Sequence, residues 1–283
     1  MITANRIVPL LVLGILLGLA APHMLVRAKP AQPVVAAPVE EPVETSVEPA
    51  PVGLPRIHTG MSVRERKEVF FRYLLPMVQK ENARLASVRR RLLYIQEHLH
   101  SGREPYPVDR QWLEQIRQKY AVDLENFHHP GFWTLLLERV DKLPEDLVLI
   151  QAANESAWGT SRFAREGNNL FGQWCFRPGC GMVPDGRPAG EIYEVASFPS
   201  PQASVAAYMH NLNRGRAYEE LRRIRAALRS AGAPVTAGAL AVGLGRYSQR
   251  GQDYIRELQS MLRTNRKVIA GIRQQLNRTK EAL

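Results

Sequence analysis

Residues 147–172 read LVLIQAANESAWGTSRFAREGNNLFG, which is the most informative stretch of the chain. Its first half is apolar and rich in small residues, which predicts a buried helix that begins at Pro144 and ends at Gly159. Glu155 shares one face of this helix with Gln151 and with apolar neighbours, one turn before the expected end. The sequence therefore places a carboxyl group on a largely apolar helix face.

The surroundings of Glu155 suit a proton donor. An apolar setting disfavours the charged form of a carboxyl group and raises its pKa. A carboxyl group that stays protonated near neutral pH can donate its proton to a leaving glycosidic oxygen. Trp158 would add a flat apolar wall on which a sugar could stack. The alternative is that Glu155 only caps the helix end or pairs with Arg162 or Arg165.

Helical periodicity dominates the chain outside one segment, between Gly167 and Pro201. There Gly, Pro and Asn are frequent, and residues 191–198 (EIYEVASF) alternate apolar and polar positions as a short strand does. We therefore expect a mainly α (α+β) fold, in which a long N-terminal helical segment precedes a helical body with a small β-rich wing and a cleft between them. We also expect six other helices. The first runs from the capping box Ser62-x-x-Glu65 toward His100, the second starts at Asp109, and the third spans 132–140. A fourth starts at Ser200-Pro201, another ends at Gly232, and the last follows Tyr254.

Composition and charge limit the class of partner. The chain has 283 residues, 45% of them hydrophobic, which is enough for one or two packed units. It carries 38 Lys and Arg against 27 Asp and Glu, a net charge of +11. A positive field favours an anionic partner, whether nucleic acid, lipid head groups or a bacterial wall polymer.

The N-terminus indicates export. In residues 1–28, Arg6 precedes an apolar run at 7–22 that Pro and Gly interrupt. This is typical of a secretory signal peptide and leaves a membrane anchor as the alternative. Residues 29–55 are rich in Pro and Glu and predict an extended linker. We expect the rest of the chain in the periplasm, tethered to the inner membrane if the segment is retained, which removes nucleic acid as a partner.

Three blocks of the sequence together resemble a known enzyme family. They are QAANESAWG at 151–159, SRFA at 161–164 and NNLFG at 168–172. Their order and spacing are similar to those of the glucosaminidase family of peptidoglycan hydrolases. The signature of that family is A-x-E-S-x-W-G, followed by S-x-x-A and N-N-L-F-G.

The resemblance implies a lysozyme-like fold over residues 131–262. An N-terminal helical region at 56–130 would precede it, and a basic C-terminal helix at 263–283 would follow. It also implies that the protein cleaves the glycan strand of peptidoglycan at N-acetylglucosamine, without metal or cofactor, and that Glu155 is the general acid.

The resemblance also suggests the other catalytic groups. A second carboxylate would come from the wing, where Glu194 is the first candidate and Glu191 the second. On an alternating strand the two point to opposite faces, and periodicity does not decide which face lines the cleft. If neither approaches, the 2-acetamido group of the substrate would be the nucleophile.

A tyrosine near the end of the family's domain lies in a Y-x-x-D-P-x-Y element. Here the corresponding stretch runs from Tyr247 to Tyr254, is one residue longer and lacks the D-P pair. Tyr254 is the better match and the candidate catalytic tyrosine, which could hydrogen-bond the acetamido group or stabilise the transition state; the alternative is a core tyrosine at a helix start. The asparagines at 168 and 169 could hold sugar hydroxyls or cap the turn. The candidate substrate-binding residues are Trp158, Asn168, Asn169, Phe171, Tyr247 and Glu191.

Cys175 and Cys180 are the only cysteines of the sequence and flank a Pro-Gly turn. In an exported chain, this spacing predicts an intramolecular disulfide that pins the wing loop. Two cysteines without a nearby pair of histidines make a poor zinc site, so we expect no metal.

We therefore predict a peptidoglycan hydrolase of the β-N-acetylglucosaminidase type. One alternative is a lytic transglycosylase, which also uses a single Glu in an E-S context but leaves a 1,6-anhydro sugar. The other is a wall-binding or scaffolding module that has kept the fold and lost turnover.

Overall fold

The computed structural model of the protein describes residues 53–58 and 60–281. The segment 1–28 and most of the linker 29–55, for which the sequence predicts export and an extended tether, lie outside the described residues. Across the described part of the chain, no helix combines the length and the apolar character needed to cross a membrane.

The described residues form a helical body with a small antiparallel sheet, which confirms the predicted mainly α (α+β) class. The helices are α1 (Val63–His100), α2 (Pro107–Lys119), α3 (Pro130–Arg139), α4 (Glu145–Glu155), α5 (Arg162–Gly167), α6 (Pro201–Arg214), α7 (Glu219–Ser230), α8 (Ala237–Ala241) and α9 (Gln252–Glu281). The strands are β1 (Trp174–Cys175), β2 (Gly181–Met182) and β3 (Glu194–Ala196), and short 3₁₀ turns span Arg216–Tyr218 and Val242–Leu244.

Helix α4 is the most enclosed element of the body. Every side chain from Leu147 to Ala153 is buried, including that of the polar Gln151. A helix that is apolar all round needs partners all round, and α4 packs against both α1 and α9. Because α4 ends at Glu155, the packing of these three helices fixes the position of that carboxyl group.

Helix α1 belongs to the same core as α4. It begins at the predicted capping box, in which Ser62 Oγ accepts from the backbone N–H of Glu65 and the Glu65 carboxylate accepts from the backbone N–H of Ser62 at 2.7 Å. Phe70 and Phe71 are fully buried, and one hydrophobic cluster extends from them through α4 to Ile272 of α9. The N-terminal helical region therefore shares its core with the rest of the body.

Two predicted boundaries differ from those observed. Helix α2 begins at Pro107 instead of Asp109, because proline is favoured in the first helical turn. Asp109 instead accepts a hydrogen bond from Arg91 at 2.7 Å, which ties α2 to α1. Helix α9 is unbroken, so the division expected between residues 262 and 263 falls inside one helix.

Helix α4 ends at Glu155, one turn earlier than predicted. Ala157 and Trp158 both have left-handed backbone conformations, with φ of 51° and 60°, a region that residues other than glycine rarely adopt. Gly159 continues the turn with a φ of 75°. The carboxyl group is therefore presented by the last helical residue instead of from within the helix.

The wing is a three-stranded antiparallel sheet in the order β1-β3-β2. Strand β3 covers only the central part of the predicted strand at 191–198. Strands β2 and β3 approach so closely that a Cβ at Gly181 would lie 2.0 Å from the carbonyl oxygen of Val195, so glycine is required there. The predicted disulfide between Cys175 and Cys180 is present, which confirms that expectation.

Phe71→Ala should lower the free energy of unfolding by about 3–5 kcal/mol, because it removes a fully buried ring that contacts Trp158 edge to face. Urea unfolding should still show one transition, since α1 and α4 share a core. Tyr94→Ala on the same helix is the matched control: its ring is 59% exposed, and the change should stay below about 1 kcal/mol. A separate early transition in Phe71→Ala would contradict the shared core.

Candidate active site

Glu155 lies where α4 meets the first residues of the wing. Its side chain is half-buried, and Oε1 accepts hydrogen bonds from the Tyr254 hydroxyl at 2.7 Å and from Asn154 Nδ2 at 3.4 Å. On the side of Oε2 stands Gly172, an exposed residue at which an added Cβ would lie 3.9 Å from that oxygen. One carboxyl oxygen is thus held by the protein, and the other faces exposed backbone.

The environment of Glu155 raises the pKa of its carboxyl group. Burial is the largest cause, because it disfavours the charged form. Hydrogen bonds from Tyr254 and Asn154 favour the carboxylate and oppose the shift, as does the charge of Arg250, whereas Glu257 adds to it. The net direction keeps Glu155 protonated at a higher pH than an exposed glutamate, which is what a general acid requires.

The structure brings Tyr254, a predicted catalytic residue, into direct contact with Glu155, a contact that the sequence did not predict; its role in catalysis stays a prediction. It lies in the first turn of α9 and is buried. Its hydroxyl oxygen accepts from Gln151 Nε2 at 2.9 Å. Its ring stacks on that of Tyr247, with centroids 5.6 Å apart and planes 4° from parallel. The hydroxyl of Tyr247 donates to the carbonyl of Phe171 at 2.7 Å, so Tyr247 supports Tyr254 from the side of the wing.

Trp158 occupies a different place from the one predicted. Its indole packs edge to face against Phe70 and Phe71, with ring centroids 5.9 and 5.3 Å away. Lys67 Nζ lies 5.4 Å from the centre of the ring. The tryptophan therefore packs between α1 and the turn after α4, and its ring is not a free surface on which a sugar could stack.

The two asparagines of the NNLFG block build the turn that leads into the wing. Asn168 has a left-handed φ of 51° at the end of α5, and its Nδ2 donates to the carbonyl of Phe198 at 2.9 Å. Asn169 is buried; its Nδ2 donates to two backbone carbonyls, and its Oδ1 accepts from two backbone N–H groups. Of the two alternatives left by the sequence, the structure favours the turn over sugar binding, because the amide of Asn169 is fully occupied.

Phe171 is also turned inward. It is buried, and its ring stacks on that of Tyr208 with centroids 3.9 Å apart. Its side chain is therefore part of the core behind the site and is not placed to contact a substrate, contrary to the prediction. Its carbonyl group contributes instead, by accepting the hydrogen bond from Tyr247.

The two wing glutamates are separated by their environments. Glu194 is buried, and its carboxylate accepts from the backbone N–H groups of Gly179 and Gly181 at 2.9 and 2.8 Å, which lowers its pKa. Glu191 is exposed and precedes β3. Within residues 53–58 and 60–281, neither is joined to Glu155 by a hydrogen bond, and the assignment of a second carboxylate to the wing stays a prediction.

Glu194 also lies close to both cysteines, with a carboxylate oxygen and the two Sγ atoms within 4.8 Å of one another. Because Cys175 and Cys180 form a disulfide, neither offers a thiolate to a metal ion. The disulfide and the Glu194 carboxylate therefore stabilise the wing loop.

Gln151 and Tyr208 belong to the site but were not selected as functional residues from the sequence. Both are fully buried, and Tyr208 donates a hydrogen bond to Gln151 Oε1. A polar amide on a helix that is apolar all round is an unusual arrangement, and this signal alone could have pointed to Gln151. Tyr208 carries no such signal, because its contact with α4 depends on the packing of α6.

Comparison with known proteins places this site in a family. The model of the family described as mannosyl-glycoprotein endo-beta-N-acetylglucosaminidase matches residues 135–267. The Escherichia coli (strain K12) protein named Protein bax is 36% identical over 217 residues, which cover 77% of this chain and 76% of that protein. The chain belongs to the glucosaminidase family. The matched residues include Glu155, the wing and Tyr254, and the family is of the glycoside hydrolase kind. No solved structure matches the chain.

Tyr254→Phe should raise the pKa of Glu155 by about 0.5–1 unit, because the carboxylate loses its shortest hydrogen bond. The measurement is an NMR titration of the side-chain carboxyl carbon of Glu155. Tyr247→Phe is the matched control: it removes a neighbouring hydroxyl that donates to Phe171 and should leave the pKa in place. An unchanged or lowered pKa in Tyr254→Phe would contradict the role given to this hydrogen bond.

Proposed function

We propose that the protein is a peptidoglycan hydrolase that cleaves the glycan strand at N-acetylglucosamine, with Glu155 as the general acid. The observation that carries this proposal is the state of that carboxyl group. It is half-buried, its pKa is raised by burial, and one of its oxygens is held by Tyr254. Membership of the glucosaminidase family supports a glycan as the substrate.

In this proposal, Glu155 donates its proton to the glycosidic oxygen as the bond to the sugar breaks. The departing sugar leaves as an alcohol, and Glu155 becomes a carboxylate. Tyr254 then stabilises that carboxylate by donating to Oε1, because a hydrogen bond to a charged acceptor is stronger than one to a neutral acceptor. Gly172 leaves the approach to Oε2 free of a side chain.

We further infer that the second chemical group is the 2-acetamido group of the substrate. The carboxylate of Glu194 is engaged by the backbone N–H groups of the wing loop, and Glu191 is exposed outside β3. This arrangement supports a neighbouring acetamido group that attacks the anomeric carbon while Glu155 protonates the leaving oxygen. Glu191→Gln tests the inference, because it should then keep the activity of the wild type.

A location in the periplasm completes the proposal. It is supported by the export signal predicted in residues 1–28 and by the net charge of +11, which favours an anionic wall polymer. The N-terminal segment would serve as a cleaved signal peptide or as an inner-membrane tether. No cofactor is part of the proposed reaction.

Glu155→Gln should reduce the release of soluble fragments from purified sacculi by at least about 100-fold, because an amide cannot supply the proton. Glu166→Gln, an exposed glutamate on α5, is the matched control and should remain fully active. The readout is the rate of muropeptide release at equal concentrations of folded protein.

Three results would overturn parts of this account. Full activity in Glu155→Gln would remove Glu155 from the role of acid. A loss in Glu191→Gln as large as that in Glu155→Gln would replace the acetamido group with a wing carboxylate. A wild type that sediments with sacculi but releases nothing would replace hydrolysis with wall binding.

A further inference from the structure

Four buried or half-buried polar groups form a hydrogen-bonded chain that ends at the acid. The Tyr208 hydroxyl on α6 donates to Gln151 Oε1, and Gln151 Nε2 donates to the hydroxyl oxygen of Tyr254 at 2.9 Å. The Tyr254 hydroxyl donates in turn to Glu155 Oε1 at 2.7 Å. The chain joins α6, α4 and α9, and the ring of Tyr208 is held in place by its stack on Phe171.

We propose that Tyr208 and Gln151 are positioning residues. Together they hold the Tyr254 hydroxyl as a donor to Oε1 of Glu155, which leaves Oε2 to carry the acidic proton. This inference rests on the proposed role of Glu155 as general acid and adds to it the atom that delivers the proton.

The direction of the chain follows from Tyr208. A hydroxyl group has one hydrogen to donate, and within residues 53–58 and 60–281 the Tyr208 hydroxyl has no hydrogen-bond acceptor other than Gln151 Oε1. If the amide of Gln151 were rotated by 180°, Tyr208 would face an N–H group and its own hydrogen would be buried without a partner. Such an orphaned group is costly, so Tyr208 selects one orientation of the Gln151 amide.

The selected orientation then decides what Tyr254 does. Gln151 presents Nε2, a donor, to the oxygen of Tyr254. The single hydroxyl hydrogen of Tyr254 is thereby left to point at Glu155. In the rotated amide, Oε1 would compete for that hydrogen and draw it away from the acid.

At Glu155, the same logic assigns the two oxygens. Both donors observed on the carboxyl group, Tyr254 and Asn154, contact Oε1. An oxygen that accepts hydrogen bonds is a poor place for the proton, so the proton resides on Oε2. This oxygen is the one on the side of Gly172, which is exposed and has no side chain.

The other titratable groups around Glu155 do not orient the Tyr254 hydroxyl. Arg250 and Glu257, from α9 and the turn before it, form an ion pair at 2.7 Å and act on the Glu155 carboxyl group in opposite directions. Tyr218 and Tyr247 are buried or half-buried phenols whose pKa values are raised by burial, so they remain neutral. None of these four side chains hydrogen-bonds to the Gln151 amide, whose partners are Tyr254 and Tyr208.

The test is Tyr208→Phe, which keeps the ring stacked on Phe171 and removes only the anchoring hydroxyl. The pKa of Glu155, measured by NMR titration of its carboxyl carbon, should rise by about 0.5–1 unit, because the Gln151 amide is free to rotate. The alkaline limb of the pH profile of sacculus hydrolysis should move up by the same amount. Introduced together with Tyr254→Phe, the change should cause no further shift, since it acts only through Tyr254.

Tyr218→Phe is the matched control, because it removes the hydroxyl of another buried tyrosine, which makes no hydrogen bond to Gln151, Tyr254 or Glu155 within the described part of the chain. It should leave the Glu155 pKa in place. If Tyr208→Phe does not fold, Gln151→Met provides the second test. It keeps an unbranched side chain of similar length and adds no charge, but it removes the Nε2 donor that orients the Tyr254 hydroxyl, and it should also raise the Glu155 pKa.

An unchanged Glu155 pKa in folded Tyr208→Phe, or a shift that adds to that of Tyr254→Phe, would overturn the proposal. The proposed function fails separately from it. If Tyr208 has no effect on the Glu155 pKa, the wild type can still hydrolyse sacculi. If the wild type does not hydrolyse sacculi, Tyr208→Phe can still shift the Glu155 pKa.

Discussion

The structure depends on the removal of one carboxyl group from water at the end of a buried helix. Residues Leu147–Ala153 of α4 are buried, the helix packs against α1 and α9, and Glu155 at its end is half-buried. The cost of that burial appears as a raised pKa, and the hydrogen bond from Tyr254 limits the cost by favouring the carboxylate. The packing of α4 therefore sets the pKa of the residue that is proposed to donate the proton.

The N-terminal helical region takes part in building the site. Phe70 and Phe71 of α1 close over Trp158 in the turn that ends α4. This turn contains two consecutive residues other than glycine with left-handed backbone, which are retained only where the surroundings hold them. Helix α1 thus supports the end of α4, although it lies outside the residues that the family model matches.

Much of this arrangement could be predicted from local sequence. The capping box at Ser62, the helical start at Ser200-Pro201 and the disulfide of the wing follow from short-range chemistry, and the structure confirms each of them. The apolar helix face around Glu155 also predicted that the pKa of its carboxyl group is raised. The rest depended on contacts between distant segments: Trp158 is covered by α1, and Gln151 is anchored by Tyr208 of α6.

The NNLFG block shows why a motif does not by itself reveal the direction of its side chains. Asn169 and Phe171 are needed for the turn and for the core behind the site, so their presence near Glu155 reflects folding. Glu194 is likewise committed to the backbone N–H groups of the wing loop. A sequence motif identifies such residues, but only the hydrogen bonds show which parts of the structure each side chain stabilises.

The chemical identity of the new chain ends would show whether Glu155 acts as the acid of a hydrolase. Purified sacculi would be digested with the protein in water enriched in ¹⁸O, and the released muropeptides would be examined by mass spectrometry. Proton donation by Glu155 to a bond after N-acetylglucosamine, followed by hydrolysis, predicts reducing-end N-acetylglucosamine that carries one ¹⁸O atom. Chain ends that carry 1,6-anhydromuramic acid and no label would contradict the account.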